Sequence, residues 1–247
     1  MHYYCDSKVT EFTILKIAVE LIKVLKNIHK KGILHRDLKP SNICYGIFEK
    51  NQFIKSLNII DFNLGTTFNY DNNKNYHPQN IGKFCGTLLF ASTAALMMVE
   101  QRPKDELETL FYVLAYLKTG FLPWQKYQNL EKSDYIKAIL KMREEYPLEK
   151  LFNGFCGEVI FICKTIKSLT SNDVPDYDIY IEILNSALKK AEDSEQFTKN
   201  KYDWEIKIKE DFLSYSNSIT KRNNLVKISF LKKGYPLSLK KFVRLFS

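Results

Sequence analysis

No stretch of the 247 residues is apolar for long enough to cross a bilayer: the longest run, Leu88 to Val99, is interrupted and falls short of the about 18 residues a span needs. The N-terminus also lacks the charged-then-apolar pattern of a secretory signal, so no membrane insertion is expected. Cysteine is sparse and poorly spaced for cross-linking. Cys5, Cys44, Cys85, Cys156 and Cys163 are odd in number and form no C-x-x-C pair, which argues against a disulfide framework and against a zinc knuckle. A reducing, intracellular setting follows, the cytoplasm first, with the nucleus left open. Internal repeats are missing, as are an arginine-rich helix, an RNP-type aromatic strand and a zinc motif, so nucleic acid is not an expected partner despite a net charge of +9.

That charge is unevenly placed. Residues 205–247 hold ten Lys/Arg against three Asp/Glu, whereas the preceding 204 residues hold 27 against 25. The basic character therefore belongs to a C-terminal tail rather than to a face of the main domain. An apolar content of 45%, with 14% aromatics, is ample for a globular core.

Apolar residues recur at Ile14, Ile17, Ala18, Leu21, Ile22, Leu25 and Ile28, the spacing of one helical face, with Thr13 as the expected cap and Gly32 as the stop. Two apolar stretches, Ile43 to Phe48 and Ile54 to Ile60, separated by Glu49-Lys50-Asn51-Gln52, predict a short β-hairpin. The aperiodic, Asn-rich Asn69 to Asn80 predicts an exposed loop. Helices are predicted over Asp105 to Leu117, ending at Gly120, and over about Ser133–Glu145, Phe155–Leu169 and Asp178–Ala191. His2, His29 and His77 are expected at the surface, Trp124 in the core, and Cys85 as an inert thiol.

Between the first helix and the hairpin stands His35-Arg36-Asp37-Leu38-Lys39-Pro40-Ser41-Asn42, and just beyond the second strand stands Ile59-Ile60-Asp61-Phe62-Asn63. Phosphoryl transfer asks for a positioned hydroxyl and for cations that neutralise spreading charge. Asp37 can accept a hydroxyl proton, Lys39 can reach a transferred phosphate, and Asn42 and Asp61 offer hard oxygen ligands to Mg2+ and, through it, to ATP. Alone, an Asp or Asn in a loop is usually a turn residue. The eight-residue string with its spaced Asp-Phe partner overrides that reading. Small-molecule phosphotransferases share an H-x-D-x-x-x-x-N loop, but Lys39 points to a Ser/Thr protein kinase acting on protein substrates.

The resemblance extends beyond the loop. Cys5 to Ala18 is similar to the segment before the catalytic loop in the casein kinase I family, and Gly86-Thr87-Leu88-Leu89-Phe90-Ala91-Ser92 resembles its G-T-x-R-Y-A-S. Lys104-Asp105-Glu106-Leu107-Glu108-Thr109-Leu110, Leu122-Pro123-Trp124-Gln125, Pro175-Asp176-Tyr177 and Tyr202-Asp203-Trp204 match further elements in order. The likeness includes the tau-tubulin kinase branch. It implies a mainly α fold with a small β-hairpin: the C-terminal, helical lobe of a protein-kinase-like fold, over residues 1–204, followed by a basic tail, 205–247. Before His35 there is no Gly-rich loop, strand lysine or helix glutamate, so a complete N-terminal β lobe is not expected. Three departures stand out. Asn63 replaces the glycine of D-F-G, a position where tolerance of positive φ is expected to matter. Glu106 replaces the aspartate that braces the catalytic loop, and Leu89 replaces a phosphate-binding arginine, which leaves Arg36 as a phosphate partner.

In the tail, Leu239, Phe242, Val243 and Phe246, interleaved with Lys240, Lys241 and Arg244, predict a basic amphipathic helix that packs on its own lobe, meets a partner or touches an anionic membrane surface. Two rivals accompany the kinase reading: a non-catalytic, pseudokinase-like binding module, and a truncated gene model of an active kinase.

Overall fold

Twenty residues with an unbroken apolar stripe form the first helix, α1 (Glu11–Lys30). The computed structural model describes residues 9–49, 52–68, 82–194 and 202–205; Cys5, His2, His77, the loop 69–80 and the tail helix of Leu239 to Phe246 lie outside them. The α1 cap is Thr10, whose hydroxyl oxygen accepts the Thr13 N–H at 3.3 Å, rather than Thr13 itself. The reason lies far along the chain. The Asp203 carboxylate accepts the Thr10 N–H at 2.7 Å and the Thr10 O–H at 2.8 Å, while the Asp203 N–H donates to the Thr13 hydroxyl at 3.1 Å. The apolar stripe is fully enclosed from Ile14 to Leu25.

A two-residue strand, β1 (Ile33–Leu34), pairs antiparallel with β4 (Thr66–Thr67), and between them the hairpin of β2 (Ile43–Glu49) and β3 (Gln52–Ile59) forms a second antiparallel pair. The hairpin register runs Ile43↔Ile59 and Tyr45↔Leu57, then shifts to Ile47↔Ile54. Gly46, at φ 78, thus faces two residues, Lys55 and Ser56, as a bulge requires. The β1–β4 ladder was not foreseen, since two residues are too few to show alternation.

The remainder is helical: α2 (Thr93–Leu96), α3 (Pro103–Thr119), α4 (Lys132–Glu145), α5 (Leu148–Leu151), α6 (Gly157–Ser168) and α7 (Tyr177–Ser194). The four predicted helices are present to within three residues at each end. Helix α3 is buried on nearly every side between α1 and α6, which is why its pattern shows little amphipathicity. Trp124 is core, as predicted, and Arg143 of α4 lies over both Tyr112 (3.9 Å) and Trp124 (4.3 Å), its charge sheltered by aromatic faces. The thiols of Cys156 and Cys163 are pushed up by burial, to about 11 and about 12. The chain divides into two compact units, Met1–Ile206 and Lys207–Ser247. Among the described residues, no helix is long and apolar enough to cross a membrane.

Helix α3 opens with a buried acid. Asp105 accepts the Arg102 N–H at 2.7 Å and the Lys104 ammonium at 3.0 Å, yet burial outweighs both and raises its carboxyl from 3.8 to about 6. The folded state thus favours the protonated acid. Its stabilisation is complete below the unfolded value of 3.8 and is lost as pH rises through about 6, up to about 3 kcal/mol in all. Asp105→Asn keeps an acceptor for Arg102 and cannot titrate. In thermal unfolding across pH 3.5 to 7, on the order of the window set by this linkage, the stability of the wild type relative to this variant should fall with pH and then level off.

Candidate active site

The chain leaves β1 into His35–Lys39, held without regular secondary structure by its own side chains. His35 is fully buried; its Nδ1 accepts the Asp37 N–H at 3.2 Å and its Nε2 faces the Ile60 carbonyl at 2.9 Å. These partners assign the neutral Nε2–H tautomer. The ring stands edge-on to Phe62 at 4.7 Å, so one imidazole fastens the His35–Lys39 loop to the segment carrying Asp61.

The Asp37 carboxylate is 8% exposed. Its Oδ1 accepts the Thr87 hydroxyl at 2.6 Å and its Oδ2 accepts the Lys39 ammonium at 2.6 Å, while Lys39 also reaches Thr87 at 3.3 Å. Asn42 Nδ2 donates to the Asp37 carbonyl at 2.9 Å and lies 3.4 Å from Oδ2. The carboxylate is therefore fixed in orientation by both of its oxygens, with one edge near the surface. Thr87, quoted from the sequence only as part of a resembling segment, emerges as a direct partner of both Asp37 and Lys39. The Gly86-Thr87 pair that opens this segment was the available signal.

The base of the hairpin brings the backbones at Asn42 and next to Asp61 together: Ile43 pairs with Ile59, and the Ile60 N–H donates to the Asn42 carbonyl at 2.9 Å. With its amide nitrogen used by Asp37, the Asn42 side chain has its oxygen left to offer. Asp61 is exposed and holds a left-handed φ of 68. Asn63, where positive φ was anticipated, does not adopt it; the turn places it on Asp61 instead. Among the described residues no three His, Cys, Asp or Glu side chains form a metal cluster. One carboxylate and one amide oxygen fit Mg2+, which keeps water and takes phosphate oxygens for the remaining positions.

Beneath the loop lies Glu106, 2% exposed. Its Oε1 accepts the Arg36 N–H, and its Oε2 pairs with His29 Nε2 at 2.7 Å; His29 Nδ1 in turn meets the Tyr177 hydroxyl. Arg36 has a φ of 65, and this brace holds it there. His29 is thus 1% exposed rather than a surface residue. The positions 22, 25 and 29 continue the buried stripe of α1, and that spacing was the overlooked signal. Arg36 Nε donates to the Leu64 carbonyl at 2.7 Å, which ties the loop to the turn after Asp61.

The segment Gly86–Ser92 closes the site on its other side. Gly86, at φ 109, lies so close to the loop that a Cβ would stand 2.6 Å from the Arg36 carbonyl oxygen. Farther along, the Trp124 indole N–H donates to the Leu89 carbonyl at 2.8 Å and Arg143 donates to the Ala91 carbonyl at 2.7 Å. Thr93 is gripped by Glu108 through its N–H at 3.1 Å and its hydroxyl at 2.7 Å.

Glu106→Ala removes the acceptor for Arg36 and strips a buried histidine of its partner, so it should cost about 3 to 5 kcal/mol of unfolding free energy. Glu106→Gln, which keeps an acceptor oxygen, should cost less. Denaturant melts and hydrogen exchange at the Arg36 amide report the two effects.

The arrangement matches a wider family. The family model described as Protein kinase domain matches residues 2–207. That range takes in the His35–Asn42 loop, Glu106 and the facing segment Gly86–Ser92, and the chain belongs to the protein kinase domain family.

Proposed function

We propose that the chain is the C-terminal lobe of a Ser/Thr protein kinase of the casein kinase I type, which transfers the γ-phosphate of ATP to Ser or Thr of protein substrates. The observation that carries this reading is the Asp37 carboxylate held between Lys39 and Thr87, with the Asn42 amide at its back. Asp37 orients the substrate hydroxyl and takes its proton as the bond to phosphorus forms. Lys39, 27% exposed, stands beside it as the cation nearest that oxygen. Asn42 and Asp61 would hold Mg2+, which would neutralise charge on the nucleotide phosphates. The Ser/Thr reading rests on Lys39 in the loop string, and its ammonium at 2.6 Å from the Asp37 carboxylate is consistent with that role.

Ile60, Phe62 and Leu64 flank Asp61 with 42%, 42% and 38% of their surface exposed. We read this apolar row as the seat of a β lobe, so full activity needs such a lobe joined to this one. The basic stretch that follows the lobe is proposed to meet a partner or an anionic membrane surface.

The test joins the small lobe of a related kinase before Met1 and assays Mg2+-dependent phosphorylation of a Ser/Thr protein substrate. Activity should appear, and Asp37→Asn should lower it by roughly 10²- to 10⁴-fold. Asp61→Asn should abolish nucleotide-linked Mn2+ binding as well. The isolated chain should transfer phosphate poorly. An inactive chimera that still binds protein substrates would favour the binding-module reading, and phosphotyrosine as the sole product would overturn the Ser/Thr assignment.

A further inference from the structure

The last described residues form a strap across three elements. Tyr202 and Trp204 are buried and stacked at 4.2 Å, and Tyr45 of β2 stands edge-on to both, at 5.3 and 5.4 Å. The Glu205 carboxylate uses one oxygen, Oε1, for both hairpin strands: it accepts the Tyr45 hydroxyl at 2.8 Å and the Lys55 ammonium at 3.2 Å. Its Oε2 accepts the Tyr202 N–H at 3.1 Å. The strap is fixed at its other end by Asp203, which grips Thr10 and Thr13 of α1. A second carboxylate from α1 supports the hairpin, since Glu20 Oε2 accepts the Leu57 N–H at 3.1 Å.

The location of the Glu205 contacts matters. Tyr45 is the last paired residue of β2 before the register shift, and Lys55 is one of the two bulge residues of β3. At a bulge the ladder is locally disrupted, so the approach of the two strands there is left to side-chain contacts, and a shift would carry Ile60 and Asp61 past Asn42. One oxygen bonded to both strands removes that freedom. Burial pushes the Glu205 carboxyl up, but the Tyr202 N–H, the Tyr45 hydroxyl and Lys55 together outweigh it and leave it below its ordinary value, so the anion is the form the strap holds.

We propose that Glu205 is a positioning residue for the metal ligands: by clamping the hairpin across its bulge, it sets Asp61 against Asn42. The inference rests on the reading of those two residues as Mg2+ ligands. Glu205 touches neither metal nor substrate, and its effect passes through Tyr45, Lys55 and the Ile60–Asn42 bond.

The experiment uses the full 247-residue chain with ADP, and Mn2+ as the probe, free Mn2+ being counted by electron paramagnetic resonance. Partners that orient metal ligands typically change affinity by about 10- to 100-fold, and Glu205 acts one step further out, so Glu205→Ala should weaken Mn2+ binding by about three- to tenfold. Hydrogen exchange at the Ile60 amide should accelerate in the same variant. Tyr45→Phe and Lys55→Met, each removing one bond from the same oxygen, should give smaller losses and serve if Glu205→Ala does not fold. Asp203→Ala loosens the far end of the strap without touching the hairpin, and should lower the melting temperature while leaving Mn2+ affinity near wild type. Wild-type affinity in Glu205→Ala, Tyr45→Phe and Lys55→Met, with Asp61→Asn abolishing binding, would overturn the clamp alone, as would an equal loss in Asp203→Ala. A wild-type chain that takes up no Mn2+ with ADP, or binding untouched by Asp61→Asn, would overturn the ligand assignment and the clamp with it.

Discussion

A carboxylate buried at the centre of a helical body is costly unless both of its oxygens are bonded, and Glu106 shows what that constraint achieves here. One oxygen takes the Arg36 N–H and the other takes His29, so the same buried side chain fixes α1, α3 and a loop whose backbone sits in the left-handed region at Arg36. The rest of the site follows from that anchorage. With Arg36 fixed, Asp37 turns back toward Lys39 and Thr87, and His35 turns inward to reach Ile60. The longer side chain at this position reaches both partners directly.

Two kinds of connection build the site, and they differ in how far they reach. Local ones, such as Asn42 with the Asp37 carbonyl and His35 with the Asp37 N–H, are made within a few residues and shape the loop itself. Remote ones join it to the body: Trp124 and Arg143 hold carbonyls of the facing segment, and the strap of Tyr202–Glu205 ties α1 to the hairpin. Removal of a local contact deforms one residue, whereas removal of a remote one frees an element. The candidate site depends on both because its residues come from a loop, a hairpin base and a facing segment that are separate in sequence.

Periodicity made the long helices legible, because burial of one face leaves a repeat that no other structure produces, as in Ile14 to Leu25. The hairpin was legible as two apolar stretches broken by a polar segment, and Asp37, Lys39, Asn42 and Asp61 stood out as a spaced string. What could not be read depended on partners distant in sequence. The cap at Thr10 is set by Asp203, the left-handed turn falls on Asp61 rather than Asn63, and the bulge opposite Gly46 is a property of two strands together. His29 belongs to neither group: its place in the stripe was visible, but a polar side chain on an apolar face gave no hint of a buried carboxylate waiting for it.

The absence of a side chain at Gly86 has a genetic consequence. The space that a first carbon would fill is already taken by the Arg36 carbonyl oxygen, 2.6 Å away. Every amino acid reachable from a glycine codon by a single nucleotide change carries that carbon. Missense variation at this codon therefore has no mild outcome based on size or polarity, since alanine collides with the loop as surely as arginine does. A position that bears no functional group is, for inheritance, among the least forgiving in the domain.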